Sequence, residues 1–572
     1  MKRHRLSRNR FTVIGIDQGS SSTKSVVLRE EGTILGRAVW PIKTEGDRIV
    51  SFEHNPDEIL SSVRAAVEWG RAISVEVGSS VAGVGLATQR SGVMAWSRDG
   101  APLSPVLSWR DARGSELASQ VLSSSEIVAA IEARSGLIPN PFFAASKLSL
   151  LQQRYSATEA NVTTLDSFLI NGLVGCSAPV TDDSMASRTL LFDISEHRWS
   201  PALCGFWGVD IKRLPQIRPS VMVPGTFPSM VPGTFGGPKK VPGTMVGKGA
   251  WHHFGGVDGV PGTMVERESK KVPGTKLGQK VPGTILGVVP LLASLGDKEA
   301  AVVGAVGFGC LEGPQRVVID IGTLITMTIA SNSPPSPVRG VGRGVLCSLG
   351  SLSGGDGKRR FVYQQELRSS ISGDILDWLR ARYGDGYSLE RMSDIASSAV
   401  NHDGVLFARP RTGSFADSSS RGSSIIPFEP IFDGISDEEP MNVSAALEHV
   451  VFSVAELIDR GRALNIITES CELIVSGGLA MLPNFCQNLS NLSAIPLLIE
   501  KDGASGSAVG AAWLAREAAF GWFGDSSVSK GEPRVVDRQR ISPMITVSDT
   551  ALFKRYQRWQ SLRDRVLGEN GQ

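Results

Sequence analysis

This sequence predicts an α/β protein of two related lobes, and three observations carry the prediction. The chain has 572 residues, more than a single hydrophobic core usually spans. Short β-branched runs alternate with amphipathic stretches through its first third, which fits layered sheets and helices better than a bundle or a sandwich. Finally, one local pattern occurs twice, at residues 13–28 and again at 317–330. It is a strand, then a turn of acid, glycine and hydroxyl residues, then a second strand.

The first copy reads Val13-Ile14-Gly15-Ile16-Asp17-Gln18-Gly19-Ser20-Ser21-Ser22-Thr23-Lys24 and resumes with Val26-Val27-Leu28. Such a hairpin offers backbone N–H groups and hydroxyls to phosphate while its Asp holds the accompanying Mg2+; an ordinary surface turn uses the same residue types. Residues 34–40 give a further strand. Residues 56–69 give an amphipathic helix opened by Asn55-Pro56-Asp57-Glu58, with proline in the first turn and acids at the positive end of the dipole. Residues 81–87 form a buried strand ending at Thr88-Gln89-Arg90, and 93–96 another, closed by Arg98-Asp99-Gly100.

Between 223 and 284 the tetrapeptide Val-Pro-Gly-Thr occurs six times, starting at Val223, Val231, Val241, Val260, Val272 and Val281. The spacing drifts, so the repeats lack the constant period that a stacked solenoid needs. Their Pro-Gly pairs also prevent long helices and most central strands. The segment is expected to be a low-complexity insert in a surface loop, disordered or turn-rich. His252 and His253 inside it have no companions for a metal site.

Ordered character is expected to resume over 285–292. The second hairpin follows, with Asp320-Ile321-Gly322-Thr323 as its turn. A long helix is expected over 441–460, and a strand over 473–475 feeds Ser476-Gly477-Gly478 before a helix that begins near Leu482. Residues 504–513 open a helix poor in bulk on one side. Residues 553–565 read as a charged, aromatic surface helix able to meet a partner subunit. The implied division is a first lobe over 1–310 carrying the 223–284 insert, a second lobe over 311–525, and a tail over 526–572.

Composition narrows the function classes. A formal net charge of +2 is too small to point to nucleic acid, and much of the basic excess lies before the first strand, at Lys2, Arg3, Arg5, Arg8 and Arg10. No apolar segment with a small-residue cleavage site follows that cluster, so a solvated lead-in is the expectation. The most apolar runs, 285–296 and 300–311, are each too short to cross a bilayer. Six cysteines, at 176, 204, 310, 347, 471 and 486, form no CxxC pair. They imply neither a disulfide framework nor a zinc site, and a cytoplasmic location is the simplest one.

Two such turns, one early in each half, are what a nucleotide clamp needs: each lobe presents one loop to the phosphates, and closure excludes water. Gly477 and Gly478, at a strand end before a helix, would let backbone approach a flat base or ribose; a plain tight turn explains them equally. Gly506 and Gly510 likewise suit close helix packing. Asp297 follows an apolar stretch and precedes a helix, a place where a carboxylate is held at a cleft floor. Phosphoryl transfer to an alcohol requires in-line positioning, Mg2+ and an acid that accepts the hydroxyl proton. Capping the helix is the plainer role for Asp297.

Taken in order, these segments resemble the FGGY family of carbohydrate kinases, within the actin/hexokinase/heat-shock ATPase superfamily, and most of all its glycerol kinase branch. The resemblance covers nearly the whole chain outside the insert. It implies a two-lobed, duplicated fold of the ribonuclease H-like kind, with a central ATP cleft. It also implies ATP and Mg2+ as cofactors, a small polyol or sugar as substrate, no nucleic-acid or membrane partner, and a homodimer or homotetramer. Asp17 would then handle the metal, with Gly19, Ser20, Ser21, Ser22 and Lys24 on the phosphates. Gly322 and Thr323 would form the second phosphate loop, and Gly477, Gly478 and Asn484 the adenosine site. Asp297 stands where the family's catalytic base does, in Gly296-Asp297-Lys298-Glu299-Ala300-Ala301. Arg90, Trp109, Asp111, Phe142 and Asp166 fall on segments lining the substrate side, where each also suits a structural ion pair or a core role.

The departures lie on that side. Ser91 stands where glycerol kinases carry Glu, Asn140 where they carry Asp, and Phe142 where they carry Tyr. Losing these hydrogen-bonding groups from a small polar pocket changes which hydroxyls it accepts. A polyol or sugar other than glycerol is thus at least as well matched as glycerol itself. The remaining alternatives are an acetate- or hexokinase-like relative and a catalytically impaired, ligand-binding or scaffolding derivative.

Overall fold

A computed structural model describes residues 11–47, 50–221, 289–306, 315–321, 325–331, 346–353, 359–369, 373–384, 386–398, 404–410, 428–434, 439–500, 506–522, 538–544 and 551–568. The repeat segment 223–284, the basic lead-in before residue 11, and Gly322 with Thr323 lie outside them.

Two sheets share one plan. In the first, Phe11–Gln18, Ser22–Arg29 and Ile34–Pro41 run as an antiparallel meander. Phe11–Gln18 then pairs in parallel with Ser80–Thr88, which pairs in parallel with Leu291–Gly296. In the second, Arg316–Ile321, Ile325–Ser331 and Arg359–Ser369 form the meander. Arg316–Ile321 pairs in parallel with Glu472–Gly477, and that strand with Leu497–Glu500. Strand order and direction therefore repeat, with Leu346–Ser353 and Arg538–Ile541 added at the edges of the second sheet. The fold is a two-lobed α/β architecture of the actin/hexokinase type. Of the stretch 285–292, where ordered character was expected to resume, residues 285–288 lie outside the described residues, and a strand runs over Leu291–Gly296.

Local chemistry sets the elements. The first strand is buried at all eight positions, as suits a central strand covered on both faces. The helix Pro56–Glu76 starts where Asn55 accepts from the N–H groups of Asp57 and Glu58, with proline in its first turn. Two further helices, Asp297–Val306 and Gly506–Trp522, follow the last parallel strand of each lobe, and they pack on each other. Glycine makes that crossing close. A Cβ on Gly510 would strike the Ala300 carbonyl and lie 2.8 Å from the Gly304 nitrogen, and one on Gly304 would lie 2.9 Å from the Gly510 nitrogen. Gly506–Trp522 also covers the first sheet, where Gly15 leaves room for the Ala508 carbonyl and Gly85 for that of Ala511.

The helix Glu439–Ala463 is long and apolar enough to cross a membrane, yet most of it is buried inside the protein. It is the spine of the second lobe. The C-terminal helix Ala551–Gly568 corrects the expectation of a surface helix: Tyr556, Trp559, Leu562 and Val566 are buried in the core that the spine helix also lines. Its Arg555 pairs with buried Glu448 of the spine helix.

Candidate active site

Both acid turns come at the end of the first strand of their sheet. Asp17 faces Lys24 across the first hairpin, 3.8 Å from its ammonium. The turn closes with the Gly19 N–H donating to the Ser22 carbonyl at 2.9 Å. Ser20, Ser21 and Ser22 line its partly open tip. In the second hairpin, Asp320 accepts from the Ser476 hydroxyl at 3.2 Å and pairs with Lys298, which reaches across from the first lobe. Burial opposes ionisation of Asp320, but Lys298, the Ser476 hydroxyl and Lys24 together hold its carboxyl below the usual range. Because Lys24 acts on Asp320 as well as on Asp17, the two hairpins share one charged gap.

Gly477 and Gly478 sit beside that gap: Gly477 ends the strand that pairs with the Asp320 strand, and Gly478 opens the short 3-10 helix Gly478–Met481 that follows. Gly477 has φ of 105°, and a Cβ there would strike the Ile321 carbonyl, so the turn requires glycine. Exposed Asn484, on the following helix, donates to the Ser397 hydroxyl at 2.9 Å.

Asp297 opens its helix at the cleft floor. It lies 3.3 Å from the Arg90 Nε, and the other two nitrogens of Arg90 meet Glu299 at 3.0 Å and Glu366 at 3.3 Å. Burial disfavours the Arg90 cation, but the three carboxylates outweigh it and raise its pKa. Of those three acids only Asp297 retains exposure, 25% against 2% for each of the others. Glu299 accepts from the Ser348 hydroxyl, and Glu366 pairs with Arg188 and Arg368, so the network ties the lobes together. Beneath it, the Gly296 N–H donates to the Ser184 hydroxyl, which donates to Asp182. Burial pushes Asp182 up to about 8, against hydrogen bonds from Ser220 and Ser184.

The substrate-side residues divide. Trp109 and Phe142 are half-buried and in ring contact, with centroids 5.9 Å apart. Asn140 accepts from the Phe142 N–H at 2.9 Å and so shapes the turn that presents that ring. Asp111 is engaged by Arg113 and by the Phe52 N–H. Asp166, with no exposed surface, accepts from Thr181. Both acids are thus already engaged by neighbouring groups of the first lobe.

Sequence reasoning passed over Lys298, Glu299, Glu366, Ser348 and Lys147. Lys147 is buried and donates to the carbonyls of Pro141, Phe142 and Phe143. Burial lowers its pKa to about 7, opposed by the Asp111 charge. The one available signal was a lysine and a second acid directly after Asp297.

Two lobes of one plan, each with an acid at the end of its first strand, and an accessible carboxylate beside the gap they share define the class of fold. Comparison narrows the class. Residues 12–249 match the N-terminal domain of the FGGY family of carbohydrate kinases. Glycerol kinase of Citrifermentans bemidjiense is 27% identical over 88% of this chain and 89% of its own. Among solved structures, Plasmodium falciparum glycerol kinase with ADP superposes at a TM-score of 0.71 with 20% identity, over 97% of this chain and 98% of its own. Xylulose kinase from Rhodospirillum rubrum reaches 0.70 at 17% identity, over 98% and 100%. The chain thus carries an FGGY-family carbohydrate kinase domain and is related to glycerol kinases.

Proposed function

We propose that the protein transfers the terminal phosphoryl group of ATP to a hydroxyl of a small polyol or sugar, with Asp297 as the general base. The observation that carries this reading is the exposure of Asp297 at the cleft floor, one residue from the lysine that reaches the second hairpin. Arg90, 3.3 Å away, orients the Asp297 carboxylate for the task of a proton acceptor.

Asp17 and Asp320 suit a hydrated divalent cation, since each carboxylate already faces an ammonium at the place where positive charge is called for. Among the described residues no three His, Cys, Asp or Glu side chains group as a metal site. That suits Mg2+, which takes one or two carboxylates and otherwise waters and phosphates. Bound there, Mg2+ would neutralise charge on the transferring phosphoryl. The Gly19–Ser22 turn and Lys24 would hold the phosphates, joined by Gly322 and Thr323. Gly477, Gly478 and Asn484 would face the adenosine. Trp109 and Phe142 would pack against the carbon skeleton of the acceptor, with Arg90 near its hydroxyls.

ATP consumption measured against polyols, pentuloses and heptuloses tests the reaction and finds the acceptor. With that acceptor, Asp297→Asn is expected to lower turnover by about 10²–10⁴-fold while nucleotide binding, followed by calorimetry, stays intact. Unchanged turnover would remove Asp297 from this role.

A further inference from the structure

We infer that Lys298 is the first lobe's contact to the terminal phosphate of the nucleotide, resting on Asp320 when that phosphate is absent. The inference builds on the nucleotide reading above. Lysine is poorly placed here on local grounds. It occupies the first turn of the helix Asp297–Val306, where the dipole favours acids, and Asp297 and Glu299 on either side follow that rule. Its gain comes from across the cleft. Its side chain is 26% exposed and meets Asp320, 27% exposed, so both line the gap between the lobes. Asp297 and Asp320 both stabilise the ammonium against burial.

Charge sets what this gap accepts. Two ammoniums, Lys24 and Lys298, face three carboxylates, Asp17, Asp297 and Asp320. With Asp17 and Asp320 holding a divalent cation, Lys298 would lose the partner that it now uses. The lysine is then left beside the phosphates as a point charge on a flexible stem, the form in which lysine binds phosphate. Since it adjoins Asp297 in the chain, a phosphate held by Lys298 lies next to the proposed base. Lys298 thereby links occupancy by a triphosphate to the position of Asp297, which a diphosphate would not do.

Calorimetric titration of the full chain with Mg-ADP and with the Mg complex of a non-hydrolysable imido analogue of ATP separates the outcomes. In Lys298→Gln the analogue is expected to weaken about tenfold or more, as for a lost charged hydrogen bond, with ADP unchanged within about twofold. Lys298→Arg, which keeps the charge, is expected to recover part of the difference. A lysine that only ties the lobes would lower the melting temperature and leave the ratio of the two affinities unmoved, and that result overturns the proposal. So does equal weakening of both ligands. If the unaltered chain binds neither ligand, the nucleotide reading itself fails. Should Lys298→Gln not fold, the Lys298→Arg ratio decides: identity with the unaltered chain in ADP binding and a shifted analogue affinity supports the contact, and no shift in either overturns it.

Discussion

Arg90 spends each of its three nitrogens on a different carboxylate, and one of those acids belongs to the other lobe. A buried ion cluster of this kind contributes little net stability while whole, but loss of one member leaves charges without compensation. Glu366 is the member to remove, because Arg90, Arg188 and Arg368 all converge on it. Burial works against its ionisation, yet these guanidinium groups hold its carboxyl well below the usual range. Glu366→Gln is expected to cost about 3–5 kcal/mol of stability, read from the urea midpoint; a loss under about 1 kcal/mol would show that water already reaches the cluster. The legibility of single residues followed how local their context is. Asp17 and Asp297 stand at strand ends in recognisable runs, so their positions in the fold are readable. Glu366 and Ser348 are not, because the pairings that tie them to the first lobe, Glu366 with Arg90 and Arg188 and Ser348 with Glu299, join residues far apart in sequence, and no periodicity encodes such a pairing. Asp111 and Asp166 show the converse: acids in the right segments, whose partners Arg113 and Thr181 turn them inward.

Elements were easier to read than their neighbours. Hydrophobic patterning placed the spine helix and the strand before Ser476 to within a few residues, and it placed the C-terminal helix correctly in the chain. It did not show that this last helix is docked, because its arginines dominate the pattern while Tyr556 and Trp559 make the contacts. The docking has a pH consequence. The Trp559 indole N–H donates to the His449 Nδ1 at 3.0 Å, so His449 is held neutral, and burial lowers its pKa to about 3 from an ordinary 6.5. The unfolded chain therefore binds a proton between those values that the folded chain refuses. Stability from this site is complete above pH 6.5 and declines as pH falls toward 3, by at most about 1.4 kcal/mol per unit. A His449→Phe chain is expected to lose this limb of a melting-temperature profile measured from pH 7 to 5, and an unchanged slope would refute the assignment.

The whole molecule carries a symmetry that the sequence only hinted at. Two related turns suggested duplication, but strand order, strand direction and the helix after each last parallel strand repeat as well. Those two helices meet through glycines, so the lobes share one close crossing, and the first of the helices carries Asp297 and Lys298 at its start. Sequence could not reveal this, since the close approach of Gly304 and Gly510 depends on residues about 200 apart. The first sheet has one more feature of consequence. The Ser294 N–H donates to the Ser220 carbonyl at 2.8 Å, and Val221 bridges to Ala293. The chain thus leaves this sheet and re-enters it at neighbouring points, as thread does at a single stitch. Departure and return at neighbouring points make closure only weakly dependent on the length of the connection. A version lacking 223–284 is expected to melt no lower than the parent and to gain at most about 2 kcal/mol from the shorter closure. Lineages would then be free to lengthen or trim the Val-Pro-Gly-Thr tract without a folding penalty.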